Sequence, residues 1–198
     1  MQAVGGLRES LLELQTGVSP GCGGLRNEHL RCFAETGEDE EISQLEAFSL
    51  KYLNGEFPPW FYKVWNSVNT VPLYKPDGSL RPVGIKPSLI RDLHKGVVRS
   101  NRGVLMEALE PQQLALSQAG GAKLVHSVRM LLEHRRDFCA VKLDIRNAHN
   151  EVSRSSIIEA LDRDPSLRHL AYHVATTSLE SGGVIWGETG EGHSLGDP

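Results

Sequence analysis

A chain of 198 residues with 39% hydrophobic residues and a mean hydropathy of -0.29 can hold one domain with a sizeable core, or part of a larger one. No apolar run approaches the roughly 20 residues of a membrane helix, and Met1–Gly6 lacks the basic stretch and apolar core of a secretory leader, so membrane insertion and secretion are not expected. The net charge of -4 argues against a simple nucleic-acid-coating protein, but it averages a net of -6 over residues 1–62, +6 over 63–102 and -4 over 103–198.

In chain order, Leu7, Leu11, Leu12 and Leu14 predict a short opening helix. Gly17, Pro20, Gly21, Gly23 and Gly24 then impose a loop, and the spacing of Leu25, His29, Leu30 and Phe33 predicts a second helix. Cys22, Cys32 and Cys139 are odd in number and irregularly spaced, which reads as free thiols in a reducing compartment. Cys22, His29 and Cys32 match no standard zinc spacing and have no evident fourth ligand. The acidic run Glu38 to Glu41 suits the first turn of a helix that carries Ile42, Leu45, Phe48 and Leu53 and stops near Asn54-Gly55. Pro58 and Pro59 break the chain, and Trp60, Phe61, Tyr62 and Trp65 read as core rather than as stacking platforms for bases.

Val68 to Tyr74 and Leu80 to Ile85 read as two strands joined by a tight turn at Lys75–Ser79. This hairpin sets Lys75 and Arg81 at its shoulders, where they could grip a triphosphate or a template backbone, or could simply charge an edge strand against aggregation. Residues 94–109 are predicted helical, Pro111 to Gly121 a loop, and Ala122 to His134 a helix with an apolar stripe of Leu124, Val125, Val128, Leu131 and Leu132. Phe138 to Leu143 is a short apolar run interrupted only by Lys142, and it predicts a buried strand that ends on Asp144. An acid delivered to a strand end can present a divalent cation to a phosphate, or can merely end the strand. Helices follow from Arg154 to Leu161 and from Leu167 to about Leu179, with a break at Asp164-Pro165, before a Gly-rich end, Gly190 to Pro198.

Read together, several stretches resemble the reverse transcriptases of non-LTR retrotransposons. Lys142-Leu143-Asp144-Ile145-Arg146-Asn147-Ala148-His149-Asn150 is similar to the first palm motif of that family, and Gly196-Asp197-Pro198 resembles the second. Pro72 to Val83 resembles the fingers hairpin that closes over the incoming nucleotide, and Pro20-Gly21 through Glu28-His29-Leu30-Arg31 resembles the lead into the fingers. Arg91 stands where the family tends to carry an arginine before a helix.

The resemblance covers most of the chain and implies an α+β fold. It places a helical lead and fingers over 1–101, with the hairpin near 68–85. A partial palm follows over 102–198, with its first motif at 138–154, a helical segment at 155–180 and the start of its second motif at 190–198. The implied activity is RNA-directed DNA polymerase, a nucleotidyltransferase adding deoxynucleotides to a primer 3' hydroxyl by a two-Mg2+ mechanism, with Mn2+ as a substitute. Asp144 would be the catalytic carboxylate and a metal ligand, and the Ile145 carbonyl a second ligand. Lys75, Arg81, Arg91, His149, Leu195 and Gly196 would face nucleotide or template. The implied partners are an RNA template, a DNA primer, deoxynucleoside triphosphates and the remaining palm and thumb of a parent chain. The implied location is intracellular, with a nuclear site resting on the resemblance alone.

Three departures from the family pattern bear on activity. The chain ends before the third palm motif, where the family places paired aspartates, so Asp144 is the sole assigned carboxylate. His149 stands where the family has a Phe or Tyr that blocks a ribose 2' hydroxyl, and Leu195 replaces the usual Gln. The expectation is a fragment inactive on its own, from a decaying element copy. The rival reading is a relic or domesticated nucleic-acid-binding module without catalysis, acting through the basic segment 63–102.

Overall fold

Leu7 and Leu11 lie one helical turn apart, and both are buried where α1 (Leu7–Leu12) meets the rest of the chain. The computed structural model describes residues 6–178 and 184–186, apart from Lys75, Asp77, Ser79, Arg146, Asn147, His149, Asn150 and Glu151. Within them α2 (Asn27–Thr36) buries Leu30 and Ala34 on one face, and α3 (Asp39–Leu53) buries Ile42, Ser49, Tyr52 and Leu53. The first turn of α3 holds Asp39, Glu40 and Glu41, where carboxylates meet the positive end of the helix dipole. The Glu38 backbone N–H donates to Glu41 Oε2 at 2.9 Å, which satisfies a donor the helix itself cannot.

Pro58 and Pro59 do more than break the chain. Pro59 is the first residue of α4 (Pro59–Trp65), where a missing N–H costs nothing. This helix turns Tyr62 inward and packs Phe61 and Trp65 on Phe48, as expected of core aromatics, while Trp60 remains 66% exposed.

The hairpin forms as predicted. β1 (Val68–Tyr74) and β2 (Leu80–Ile85) pair antiparallel, with Leu73 opposite Arg81 and Tyr74 opposite Leu80. A third strand, β3 (Val184–Trp186), lies parallel to β1, so the sheet order is β2-β1-β3. The hairpin's base is partly covered, but Val71, Leu73, Tyr74 and Leu80 near its tip are exposed.

Helix α5 (Ser88–Ser100) begins six residues earlier than the periodicity indicated, because Pro87 closes the extended segment and Ser88 to Leu93 already faces the core. It stops at Asn101, whose Nδ2 donates to the Val97 carbonyl at 2.8 Å, and α6 (Arg102–Leu109) starts on the far side. The expected single helix over 94–109 is therefore two. Helix α7 (Gly120–His134) buries none of its residues. Next come α8 (Arg154–Arg163) and α9 (Arg168–Ser178), separated by a turn in which Asp164 Oδ1 accepts from the Ser166 backbone N–H at 2.9 Å. The architecture is α+β, with a helical core and one small mixed sheet.

That core joins α1, α2, α3, α4 and α5 to the start of α9 through Leu167 and Leu170. Polar bonds lock the α9 contact. The Tyr52 hydroxyl donates to Asn66 Oδ1 at 2.6 Å, and Asn66 Nδ2 donates to the Thr177 carbonyl at 2.6 Å. His173 Nδ1 lies 3.3 Å from the Leu53 carbonyl, and its ring stands edge-on to His94 at 5.4 Å between centroids.

The loop before α2 is pinned by a close approach of two backbones. A Cβ on Gly21 would meet the Pro87 nitrogen at 2.5 Å, with no flexible side chain to give way. Gly21→Ala is expected to lower stability by about 1–3 kcal/mol through overpacking. Gly23→Ala, where a Cβ meets nothing within 4 Å, is expected to be near neutral. Thermal unfolding followed by circular dichroism compares the two; equal melting temperatures would show that the loop does not rest on Pro87.

Candidate nucleic-acid interface

The amphipathic pattern of α5 divides its residues between core and solvent. Leu89, Ile90, Leu93 and Val97 are buried, whereas Arg91, Lys95 and Arg99 recur at intervals of four on another face. Arg102, at the start of α6, prolongs this stripe. Together with Lys86, His94, Val98 and Leu116 these side chains line a groove of about 440 Å3, and among the described residues no carboxylate lines its wall.

Each cation is held differently. The Arg91 guanidinium donates to Asn27 Oδ1 at 3.1 Å and to Ser88 Oγ at 3.4 Å, which anchors it to α2. Arg99 meets Glu13 Oε2 at 3.6 Å on the rim, an exposed pair of little energetic weight. Arg102 donates to the Leu116 carbonyl and draws the loop after α6 into the groove wall. Burial holds the Lys86 ammonium below its usual pKa, and the nearby Arg154 charge pushes the same way. Beneath the stripe lies Asp92, 5% exposed, with Ser10 Oγ donating to its Oδ2 at 3.0 Å. Burial raises the Asp92 pKa, against the Ser10 bond and the Arg99 and Lys95 charges.

His94 forms part of the groove's floor. Burial pushes its pKa down to about 3, and the charges of Lys86 and His173 add to the effect. The ring is therefore neutral at physiological pH, and the groove's positive charge comes from Lys and Arg alone.

The residues singled out in the sequence fall into separate places. Arg91 is in the groove. Arg81 is exposed on β2, opposite Leu73, and does not line the groove. The predicted strand Phe138–Leu143 does not form: residues 138–145 are neither helix nor strand, and Val141, Leu143 and Ile145 are 74%, 83% and 71% exposed. An apolar run becomes a buried strand only when a neighbouring strand takes up its N–H and C=O groups, and among the described residues none lies beside it. Asp144 thus stands exposed in a segment that is neither helix nor strand, not at a sheet edge. Lys75, His149, Leu195 and Gly196 lie outside the described residues.

No family model and no curated protein matches this chain. The groove is accordingly read from its own chemistry. Lys86, Lys95, Arg99 and Arg102 were legible only as part of the basic segment 63–102; the signal that separates the α5 residues is the four-residue spacing of 91, 95 and 99. Cys22, Cys32 and Cys139 are free and exposed. Among the described residues no helix is long and apolar enough to cross a membrane.

Proposed function

We propose that this chain is the fingers and the first part of the palm of an RNA-directed DNA polymerase of the non-LTR retrotransposon type, and that by itself it binds nucleic acid without polymerising. The observation that carries this reading is the hairpin: Pro72 to Val83, the run most similar to the family's fingers, pairs in register around its turn with Arg81 on the outer strand. The order of the remaining resembling stretches along the chain supports it.

Inactivity in isolation is part of this proposal and rests on the one carboxylate that the resemblance assigns. Two Mg2+ ions need several carboxylate oxygens converging on them. Asp144 and the Ile145 carbonyl supply one carboxylate and one carbonyl, and among the described residues no three His, Cys, Asp or Glu side chains come together as a metal site.

A second reading, a relic or domesticated nucleic-acid-binding module without catalysis, is favoured by one observation: a five-cation groove with no acid among the described residues of its wall. A labelled RNA–DNA template-primer separates the two readings. In about 50 mM NaCl the chain is expected to bind this hybrid in preference to duplex DNA, with affinity that falls as salt rises. RNA-templated primer extension with Mg2+ is expected to be absent. Equal affinity for the hybrid and for duplex DNA would overturn the polymerase assignment in favour of the second reading; extension by the chain alone would overturn its inactivity.

A further inference from the structure

We infer that the α5 groove, and not the β1–β2 hairpin, is the principal binding track for a single-stranded nucleic-acid backbone. The inference rests on the nucleic-acid reading above and assigns it a specific surface.

Three features of the groove support a chain of phosphates over a single small anion. The first is length. Arg91 to Arg99 advance about 12 Å along α5 at 1.5 Å per residue, and Arg102 extends the row beyond the helix end. A lone phosphate would use two adjacent cations and leave the others unpaired.

The second is the balance of charge. Lys86, Arg91, Lys95, Arg99 and Arg102 face one groove. Among the described residues, Glu13 pairs with Arg99 at the rim, and Asp92 lies under the helix and is bonded to Ser10. Lys86 is half-buried in the groove wall, and burial holds its ammonium below its usual pKa. A partly desolvated ammonium gains from an arriving anion.

The third is the make-up of the walls. Val98 and Leu116 give the groove apolar patches between its charges, suited to sugar faces, and among the described residues no aromatic ring other than His94 lines it. Backbone contact without base stacking predicts weak dependence on base sequence. Among its described residues the hairpin, by contrast, offers Arg81 on a strand whose neighbours Tyr74 and Leu80 are exposed and uncharged.

The test is fluorescence anisotropy of a labelled single-stranded RNA against the whole chain, titrated across NaCl concentrations. Four phosphates engaged on a single strand give a slope of log K against log salt of about -3. Lys95→Gln with Arg102→Gln removes two cations while keeping side-chain bulk, and it leaves Arg91, which braces α2, untouched. This double variant is expected to bind at least about tenfold more weakly in low salt, with a slope shallower by about 1.4. Glu13→Gln frees Arg99 and is expected to tighten binding. Arg81→Ala is expected to stay within about threefold of the parent.

A thermal transition measured on each variant shows whether it is folded. Should the double variant fail to fold, exposed Lys95→Gln alone is expected to reduce the slope by about 0.7. Parent-like affinity and slope in the folded groove variants would overturn the inference. If Arg81→Ala abolishes binding and the groove variants do not, the hairpin is the track, and the nucleic-acid reading survives without this one. A parent chain that binds no RNA at any salt would overturn both.

Discussion

Tyr52→Ala is expected to remove a large part of the protein's stability. The ring is completely buried, stacked at a tilt on Tyr62 with centroids 5.3 Å apart and lying 6.1 Å from His94. Truncating a buried aromatic to alanine costs about 3–5 kcal/mol through lost transfer energy and the cavity left behind. Here the loss goes further, because the Tyr52 hydroxyl donates to Asn66 Oδ1, and Asn66 in turn holds the Thr177 carbonyl of α9. An orphaned amide oxygen in a site only 7% exposed adds a penalty of about 1–3 kcal/mol. Against a typical total of about 5–15 kcal/mol, such a loss is enough to populate the unfolded state. Tyr52→Phe separates the two contributions, since it keeps the ring and removes only the hydroxyl; it is expected to cost about 1–3 kcal/mol. Urea unfolding measures both. If Tyr52→Phe matches the parent, the hydroxyl is not holding α9, and if Tyr52→Ala does so the residue is not in the core.

Why this residue stayed invisible in the sequence is instructive. The helix that carries it was legible from Ile42, Leu45, Phe48 and Leu53, but a tyrosine in such a pattern can as easily face water. Its importance comes from Asn66 and Thr177, which lie 14 and 125 positions away along the chain. Polar partners that meet only after folding leave no periodic trace. The hairpin was legible because its signal is local: alternating apolar residues on either side of Pro76 and Gly78. Strand β3 was not, since three residues paired parallel across more than a hundred positions have no local signature of their own.

The segment before Asp144 failed for a related reason. Its composition was read correctly as apolar, but composition cannot supply the neighbouring strand, and residues 138–145 lie exposed instead. The stripe on α7 shows the same gap between pattern and burial: Leu124, Val125, Leu131 and Leu132 repeat at helical spacing, yet all are exposed. For the basic segment, the charge gradient marked forty residues, 63–102, without saying which of their cations meet. Only the fold decides which of those cations share a groove. It gathers Lys86 with Arg91 and Arg102, and it leaves Arg81 elsewhere.

Mild acid is expected to destabilise the protein well before its carboxylates titrate. His94 has a native pKa near 3 against an unfolded value near 6.5, chiefly because burial disfavours the imidazolium, with Lys86 and His173 opposing it further. His173 is shifted in the same direction by burial, partly offset by its bond to the Leu53 carbonyl. Between the native and unfolded pKa values the unfolded chain binds more protons, so stability rises with pH across that window and falls as the solution is acidified through it. From pH 7 to pH 5 the His94 shift corresponds to about 2 kcal/mol, an upper figure because the ring is only partly shielded from water. Asp92 works the other way: burial raises its native pKa, so below that value its protonation favours the folded state. Net acid lability above pH 5 therefore belongs to the histidines. The urea midpoint of the parent is expected to drop between pH 7 and 5, and His94→Gln is expected to flatten that drop. A parent as stable at pH 5 as at pH 7, or a variant with the parent's full acid sensitivity, would refute the assignment. Because His94 also floors the groove, a bound phosphate chain would offset the Lys86 field and raise the imidazole's pKa. Saturating RNA should then reduce acid sensitivity in the parent and leave His94→Gln unaffected.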